Sequence, residues 1–324
     1  MDCGWHITDA CAYLELPIRR FERWRYRALV GELVDKTPGG NPVHGLLPAE
    51  TEAILAVFEE FADIDRSHRK LAHRGSYENR FWASPTTVRK VLFLADMHFK
   101  PVPRPAASQK RAIPAWVDYR PQQVWIFDTT HFTRCGMAVL AIIDLVSRKW
   151  ICEVVSSEET STQVEIGFDK ALELEGIYDD LEARDKAHAD GWHGPDRPIL
   201  LAMSDNGPQM RSGDTAEFMA LASIAQHFGR PGTPQDQAWV ESLFGHIKGE
   251  NPHLTKIRDP QTLRIELAEV RQQYNSVRLH EGIGYVTPND EHEGRGEAIR
   301  QARIDGMKSA RELRIATHQQ TRKT

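Results

Sequence analysis

Residues Thr233–Asn251, TPQDQAWVESLFGHIKGEN, read as a helix with both ends marked. Thr233 suits the N-cap, Pro234 the first helical position, and Asp236 the capping-box position that reaches back to the cap. Gly249 and Pro252 mark the end. Val240, Leu243, Phe244 and Ile247 recur at i, i+3, i+4, i+7 and predict the buried face. One step around the cylinder, Glu241, Gly245 and Lys248 form a second stripe at the rim of that face. A carboxylate and an ammonium separated by a glycine can meet a ligand there and let a backbone approach closely. Taken alone, the same stripe also fits an ordinary amphipathic helix with a solvated Glu and Lys.

Working outward, SDNG at 204–207 follows the apolar run Ile199-Leu200-Leu201-Ala202-Met203, which reads as a strand ending at Asp205. A second apolar run, Val124-Trp125-Ile126-Phe127, ends at Asp128. Two strand-end aspartates and one helix glutamate can converge on a pair of divalent cations, the arrangement that two-metal phosphoryl transfer needs. Among 46 acidic residues the 35-residue gap between Asp205 and Glu241 decides nothing by itself. The surrounding residues decide it.

Asp128-Thr-Thr-His131, Ser204-Asp205-Asn206-Gly207 and Thr233-Pro234-x-Asp236-x-Ala238-x-Val240-Glu241-x-x-Phe244-x-x-x-Lys248 resemble the integrase core. That is the DDE catalytic domain of retroviral integrases and of many bacterial insertion-sequence transposases. Tyr274-Asn275-x-x-Arg278-x-His280 and Gly284-Tyr285-x-Thr287-Pro288 resemble the tail that follows this core in the transposases. The resemblance covers roughly residues 115–292. One departure is Asp236-Gln237-Ala238, where the family more often shows Asp-Asn-Ala; it leaves the three carboxylates untouched.

The resemblance implies an α/β, RNase-H-like catalytic core preceded by an all-α helix-turn-helix region. The expected division is a DNA-binding region over 1–99, a proline-rich linker over 100–121, the core over 122–292 and a basic tail over 293–324. It further implies a DNA transposase or integrase that cleaves element-end DNA and joins its 3′-hydroxyl to target DNA. Asp128, Asp205 and Glu241 would be the catalytic metal ligands, with two Mg²⁺ (or Mn²⁺) ions and no covalent protein intermediate. Lys248 would contact a phosphate near the scissile bond, and His131 is a weaker DNA-contact candidate. Tyr274 is expected to be structural. A homo-oligomer on DNA is implied by the need to hold two DNA ends, and a cytoplasmic, nucleoid-associated location in a bacterium follows. A non-catalytic DNA-binding protein derived from a transposase is the alternative, and a plain RNase-H-type nuclease is disfavoured.

Composition agrees with these expectations. At 324 residues the chain can hold two or three domains. Its longest apolar run, Met137–Ile143, is too short to span a bilayer, and no basic leader follows Met1. No membrane partner is expected. Cys3, Cys11, Cys135 and Cys152 form no CxxC pair, so free thiols and no structural zinc are expected. The net charge of −5 is unevenly distributed. Residues 1–113 hold 17 Lys+Arg against 14 Asp+Glu, residues 251–324 hold 13 against 10, and the middle holds 11 against 22. Metal ions would have to invert the field of such an acidic centre, while basic flanks grip the DNA backbone. No phosphate-binding glycine loop is evident, so no nucleotide cofactor is expected.

Along the chain, residues 8–14 and 18–27 predict two short helices around Pro17. Ile18, Phe21, Trp24 and Ala28 would face inward, with Arg19, Arg20, Arg23 and Arg27 opposite, as in a helix-turn-helix reader. A basic solvated helix in a small bundle fits the same pattern. A helix is predicted over 48–64, a basic helix start at 67–72, then a polar loop at Gly75-Ser76-Tyr77. A second candidate reader starts at Ser84-Pro85, with Val88, Val91 and Leu92 inward and Thr86, Thr87, Arg89 and Lys90 outward. A structural three-helix unit is its alternative. In the core, strands are predicted at 124–128, 137–145, 150–155 and 199–204, with another near 226–229. Helices are predicted at 161–175, 215–225 and 262–274. The polar segment 179–198 reads as a surface insertion and 208–214 as a mobile loop. The end of the chain reads as helical or disordered.

Overall fold

The computed structural model describes residues 4–31, 33, 42–97, 99, 117–190, 197–205, 207–228 and 238–321; side chains at 184, 188 and 238–242 lie outside the description. The chain divides into two compact units, residues 1–45 with 314–324, and residues 46–313.

In the first unit, α1 (Ile7–Tyr13) and α2 (Ile18–Leu29) flank the predicted turn. Arg19, Arg20 and Arg23 are exposed as expected. The inward face is a correction: α2 has no buried residue, and Ile18 and Trp24 are 42% and 39% exposed. The cause is lack of partner area, because the seven-residue α1 contributes one buried side chain, Cys11.

The second unit begins with α3 (Pro48–Phe61), α4 (His68–Tyr77) and α5 (Pro85–Leu94). Their apolar faces close one core around Ile54, Val57, Leu71, Phe81, Val88 and Leu92. Ser67 and Ser84 cap α4 and α5 through the Lys70 and Thr87 amides. The polar loop predicted at Gly75-Ser76-Tyr77 is instead the last turn of α4. Gly75 belongs there because the Phe81 ring packs so closely that a Cβ would lie 2.3 Å from it. Within that buried unit Arg74 pairs with Asp65 at 2.7 Å and donates to the Val277 carbonyl at 2.6 Å.

Five strands follow: β1 (Val124–Phe132), β2 (Met137–Asp144), β3 (Trp150–Ser156), β4 (Leu200–Ser204) and β5 (Ile224–Phe228). Their order is β3-β2-β1-β4-β5, antiparallel across the first three and parallel from β1 to β4 to β5. Between β3 and β4 the chain forms α6 (Ser161–Leu174) and α7 (Ile177–Ala189), and α8 (Gly213–Leu221) precedes β5. After β5 come α9 (Ala238–Glu250), α10 (Pro260–Ser276), α11 (Pro288–His292) and α12 (Gly296–Thr321). This is the RNase-H-like α/β fold expected from the sequence.

Alternation along β1 separates two cores. Trp125 and Phe127 pack with Phe168 and Leu172 of α6 on one face; Val124 and Ile126 pack with α9 and α10 on the other. Gly167 lets α6 approach β2, since a Cβ there would meet Leu140 at 2.7 Å. Asn275 of α10 accepts from the Trp150 amide at 2.9 Å and donates to its carbonyl at 2.8 Å.

Three boundaries differ from expectation. Asp128 lies inside β1, not at its end, because Thr129–Phe132 continue the ladder to the hairpin pair Phe132↔Met137. The polar segment after 179 is largely helix α7, which tucks Ile177 into the core; residues 191–196 lie outside the described residues. The helix predicted to reach 225 stops at Leu221, where Ser223, at φ 54°, turns the chain so that Ile224 pairs with Leu200. The chain end takes the helical option as α12.

Candidate active site

The register between β1 and β4 runs Val124↔Leu201, Trp125↔Ala202, Ile126↔Met203. Continued by two residues, the same offset sets Asp128 beside Asp205. Alternation assigns them a common side: Val124 and Ile126 face the core of α9 and α10, as do Leu201 and Met203. Both aspartates are half-buried. Asp128 Oδ1 accepts from the Thr129 amide at 2.8 Å, and Asp205 Oδ1 accepts from the Gly207 amide at 2.9 Å. The second bond makes an Asx-type turn that redirects the chain at the strand end.

Helix α9 lies over this face because Leu243, Phe244 and Ile247 are buried in the core that holds Val124 and Ile126. Glu241 falls in the first turns of α9, and its side chain lies outside the described residues, as does that of Val240. The expected cap at Thr233-Pro234 and Asp236-Gln237 also lies outside them. Gly249 sits in the last turn, which runs one residue further to Glu250. Among the described residues no three His, Cys, Asp or Glu gather into a metal-binding set.

Lys248 is tied to β1. Its Nζ donates to Thr130 Oγ1 at 2.7 Å and to the His131 carbonyl at 3.0 Å, and lies 5.0 Å from the Phe132 ring centre. Partial burial lowers its pKa. The ammonium thus fixes α9 against β1 two residues beyond Asp128.

One contributor is invisible in the sequence. Glu159, between β3 and α6, meets His131 Nε2 at 3.1 Å and accepts from Gln209 Nε2 at 2.8 Å. It links the strand beyond Asp128 to the 3₁₀ turn Pro208–Met210 beyond Asp205. Glu159 sits in a short polar connection without periodicity, so only the placement of His131 beside the Asp128 motif hinted at a partner.

Of the other candidates, Arg89 and Lys90 are exposed on the Ser84-capped α5, and Arg20 lies 5.7 Å over Trp24 on α2. Tyr274 is buried edge-on to Trp150, which bears out a structural role. Arg278 pairs with Glu250, whose carboxyl is held at about 2 by His246, Arg278 and Lys70 against the opposing effect of burial. Cys11, Cys135 and Cys152 are free and buried, and burial pushes the Cys152 thiol up to about 12.

Two matches to the integrase core domain family abut and overlap on this chain, one over residues 118–234 and one over 222–288. Residues 118–288 are an integrase core. Among curated proteins, the chain is 28% identical over 174 residues to the transposase for insertion sequence element IS904 of Lactococcus lactis subsp. lactis (strain IL1403). That match covers 52% of this chain and 61% of the relative. It is 26% identical over 171 residues to the InsK protein of insertion sequence element IS150 of Escherichia coli (strain K12), covering 52% and 54%. The integrase core is therefore of the kind found in insertion-sequence transposases, and the chain spans little more than half the length of these relatives. Among solved structures, the catalytic core domain of BIV integrase is 20% identical, covering 55% of this chain and 97% of that one, with a TM-score of 0.38. The HTLV-2 integrase core in complex with magnesium is 18% identical, covering 53% and 97%, with a TM-score of 0.37. At those TM-scores the likenesses add nothing to the family match. No described helix is long and apolar enough to cross a membrane.

Proposed function

We propose that the protein is a DNA transposase that cleaves the ends of its element and joins the 3′-hydroxyl to target DNA, with Asp128, Asp205 and Glu241 as the acidic ligands of two divalent cations. The observation that carries this reading is the β1–β4 register. Extended two residues past its last pair, it aligns the half-buried Asp128 with Asp205 on the face covered by the helix that contains Glu241. Carboxylate oxygens are the donors that Mg²⁺ and Mn²⁺ prefer, so the residues fit the ions. Bound there, the cations would supply an acidified water or 3′-hydroxyl and stabilise the leaving oxygen.

The chain's own residues do the positioning. The turn bond from Gly207 to Asp205 holds one carboxylate at the strand end, and the ladder through Ala141 holds Asp128 rigidly. Lys248 fixes the register of α9, and so of Glu241, against β1. Its charge also sits where a DNA phosphate would approach. Arg19, Arg20, Arg23, Arg89 and Lys90 supply exposed cations for backbone contact. Holding two DNA ends calls for more than one copy, so the active species is a homo-oligomer on DNA.

The test is strand transfer of the element's terminal DNA into plasmid with Mg²⁺ or Mn²⁺. Glu241→Gln and Asp128→Asn each cut joined product by roughly 100-fold or more while DNA binding persists. Binding without cutting or joining in the wild type, across metals and end sequences, would replace this reading with a non-catalytic DNA-binding protein. Cutting without joining would point to a plain nuclease.

A further inference from the structure

The unit spanning residues 46–313 contains a cavity of about 310 Å³ between the start of α4, the end of α9 and the segment after α10. Arg66, Lys70, Arg148 and Arg278 line it, over a floor that includes Ile126 and Ile143. Two carboxylates, Glu250 and Glu281, share the lining, and both are engaged. Glu250 pairs with Arg278 and meets His246 at 3.4 Å; Glu281 meets Arg69 at 3.6 Å. With Arg278 committed to Glu250, and Glu281 engaged by Arg69 from outside the lining, Arg66, Lys70 and Arg148 are the remaining cations of the wall.

The cations are costly to hold there. Arg148 and Arg278 are 7% and 9% exposed, and the buried Nε of Arg278 has no hydrogen-bond partner among the described residues. Burial lowers the pKa of Lys70 and of Arg148. His280, held down to about 3 by burial and by these same cations, stays neutral; its Nδ1 accepts from the Gly282 amide. The N-terminus of the ten-residue α4, capped by Ser67, adds a positive dipole end to the same wall. A buried donor without a partner and desolvated cations are unfavourable in an empty apolar setting and favourable around a phosphate.

We propose that this cavity binds a nucleotide through its phosphate, with the cations gripping the phosphate and the apolar floor taking the sugar and base. The volume is at the lower end of ligand sites, about 300–1,000 Å³, which suits one nucleotide unit. A neighbouring cavity of about 400 Å³ shares Arg66, His246, Glu250 and Arg278, so the site continues into a groove that a strand can follow. The nucleotide can come from a DNA strand or from free solution. Neither Asp128 nor Asp205 lines it.

The test is binding to the full chain by isothermal titration calorimetry at fixed ionic strength, using dAMP, deoxyadenosine and inorganic phosphate as probes. The expected result is saturable binding of dAMP, weaker binding of phosphate and none of deoxyadenosine. Lys70→Gln weakens dAMP by about tenfold or more, Lys70→Arg retains it, and Asp128→Asn leaves it unchanged. Should Lys70→Gln fail to fold, Arg66→Gln at the exposed rim carries the same expectation. Competition by a 5′-phosphorylated oligonucleotide but not by its unphosphorylated form assigns the source to a DNA end; competition by neither assigns it to free nucleotide. Binding of dAMP no tighter than deoxyadenosine, or indifference to loss of the Lys70 or Arg66 charge, overturns the proposal.

Discussion

The helices α2 and α5 are both basic and amphipathic, yet they end in different states. α5 buries Val88 and Leu92 completely and leaves Arg89 and Lys90 outside. α2 turns Arg19, Arg20 and Arg23 outward but buries nothing, and Leu29 beside them is 81% exposed. The difference lies in what each helix has to pack on. α3 and α4 offer α5 a set of branched and aromatic side chains, whereas α1 offers α2 only its short seven-residue span. Amphipathic periodicity specifies a helix and its apolar side; burial requires a neighbour of matching area. The apolar stripe of α2 is a surface, and that of α5 is a core.

That contrast can be broken by mutation, and the largest effect belongs to the α3–α5 unit. Asp65→Ala strands the buried Arg74 guanidinium and costs about 3–5 kcal/mol, read as a fall in the urea midpoint of the full chain. A loss under about 1 kcal/mol would show that this pair is solvated and the unit loosely closed. Leu92→Ala comes next at about 2–5 kcal/mol, while Trp24→Ala on α2 stays within about 0.5 kcal/mol. Equal losses at the two positions would erase the distinction between core and surface.

A pH titration sharpens the comparison further. His73 of α4 stacks on Tyr285 with ring centres 4.1 Å apart, and burial, aided by Arg303, lowers its pKa to about 4. A depressed histidine stabilises the fold while neutral. Its contribution is full above the ordinary value of 6.5 and is lost as pH falls from there toward about 4. His73→Gln therefore flattens the dependence of the urea midpoint in that window; an unchanged slope would mean the imidazole is as free in the fold as in the open chain. The smallest effects are electrostatic. Replacing Arg89 and Lys90 by Gln lowers the salt dependence of DNA binding by about one unit of slope for each phosphate no longer neutralised. The same experiment on Arg19, Arg20 and Arg23 shows which helix is the reader.

The parts of the fold that were legible in the sequence are those whose periodicity is answered by a nearby partner. β2 and β3, α6, and the Leu263, Leu267, Val270, Tyr274 face of α10 all lie within a residue or two of expectation. Asp128 reads as terminal in the sequence because Thr129-Thr130-His131 is polar, while the hairpin partner that extends the strand is set by β2 and not by local hydrophobicity. Gly75 read as a loop residue because its reason, the Phe81 ring, is a tertiary contact. Of the candidate site, the three carboxylates are singled out by the resemblance of the motifs around them, and spacing alone picks out none. Glu159, Lys70, Arg66 and Arg148 were not, since each matters through neighbours remote in sequence.

The bonds between Asn275 and Trp150 have a further consequence. β3 is one of the two outer strands of the sheet, and an outer strand offers unpaired amides and carbonyls on which a foreign strand can grow. The Asn275 amide occupies both groups of Trp150, while Arg271 and Arg264 donate to the carbonyls of Ile151 and Val155. A side chain on a helix imitates the missing sixth strand. Intermolecular β-pairing at this edge must first undo those bonds, so copies of the protein can crowd together while this margin of the sheet stays closed to them.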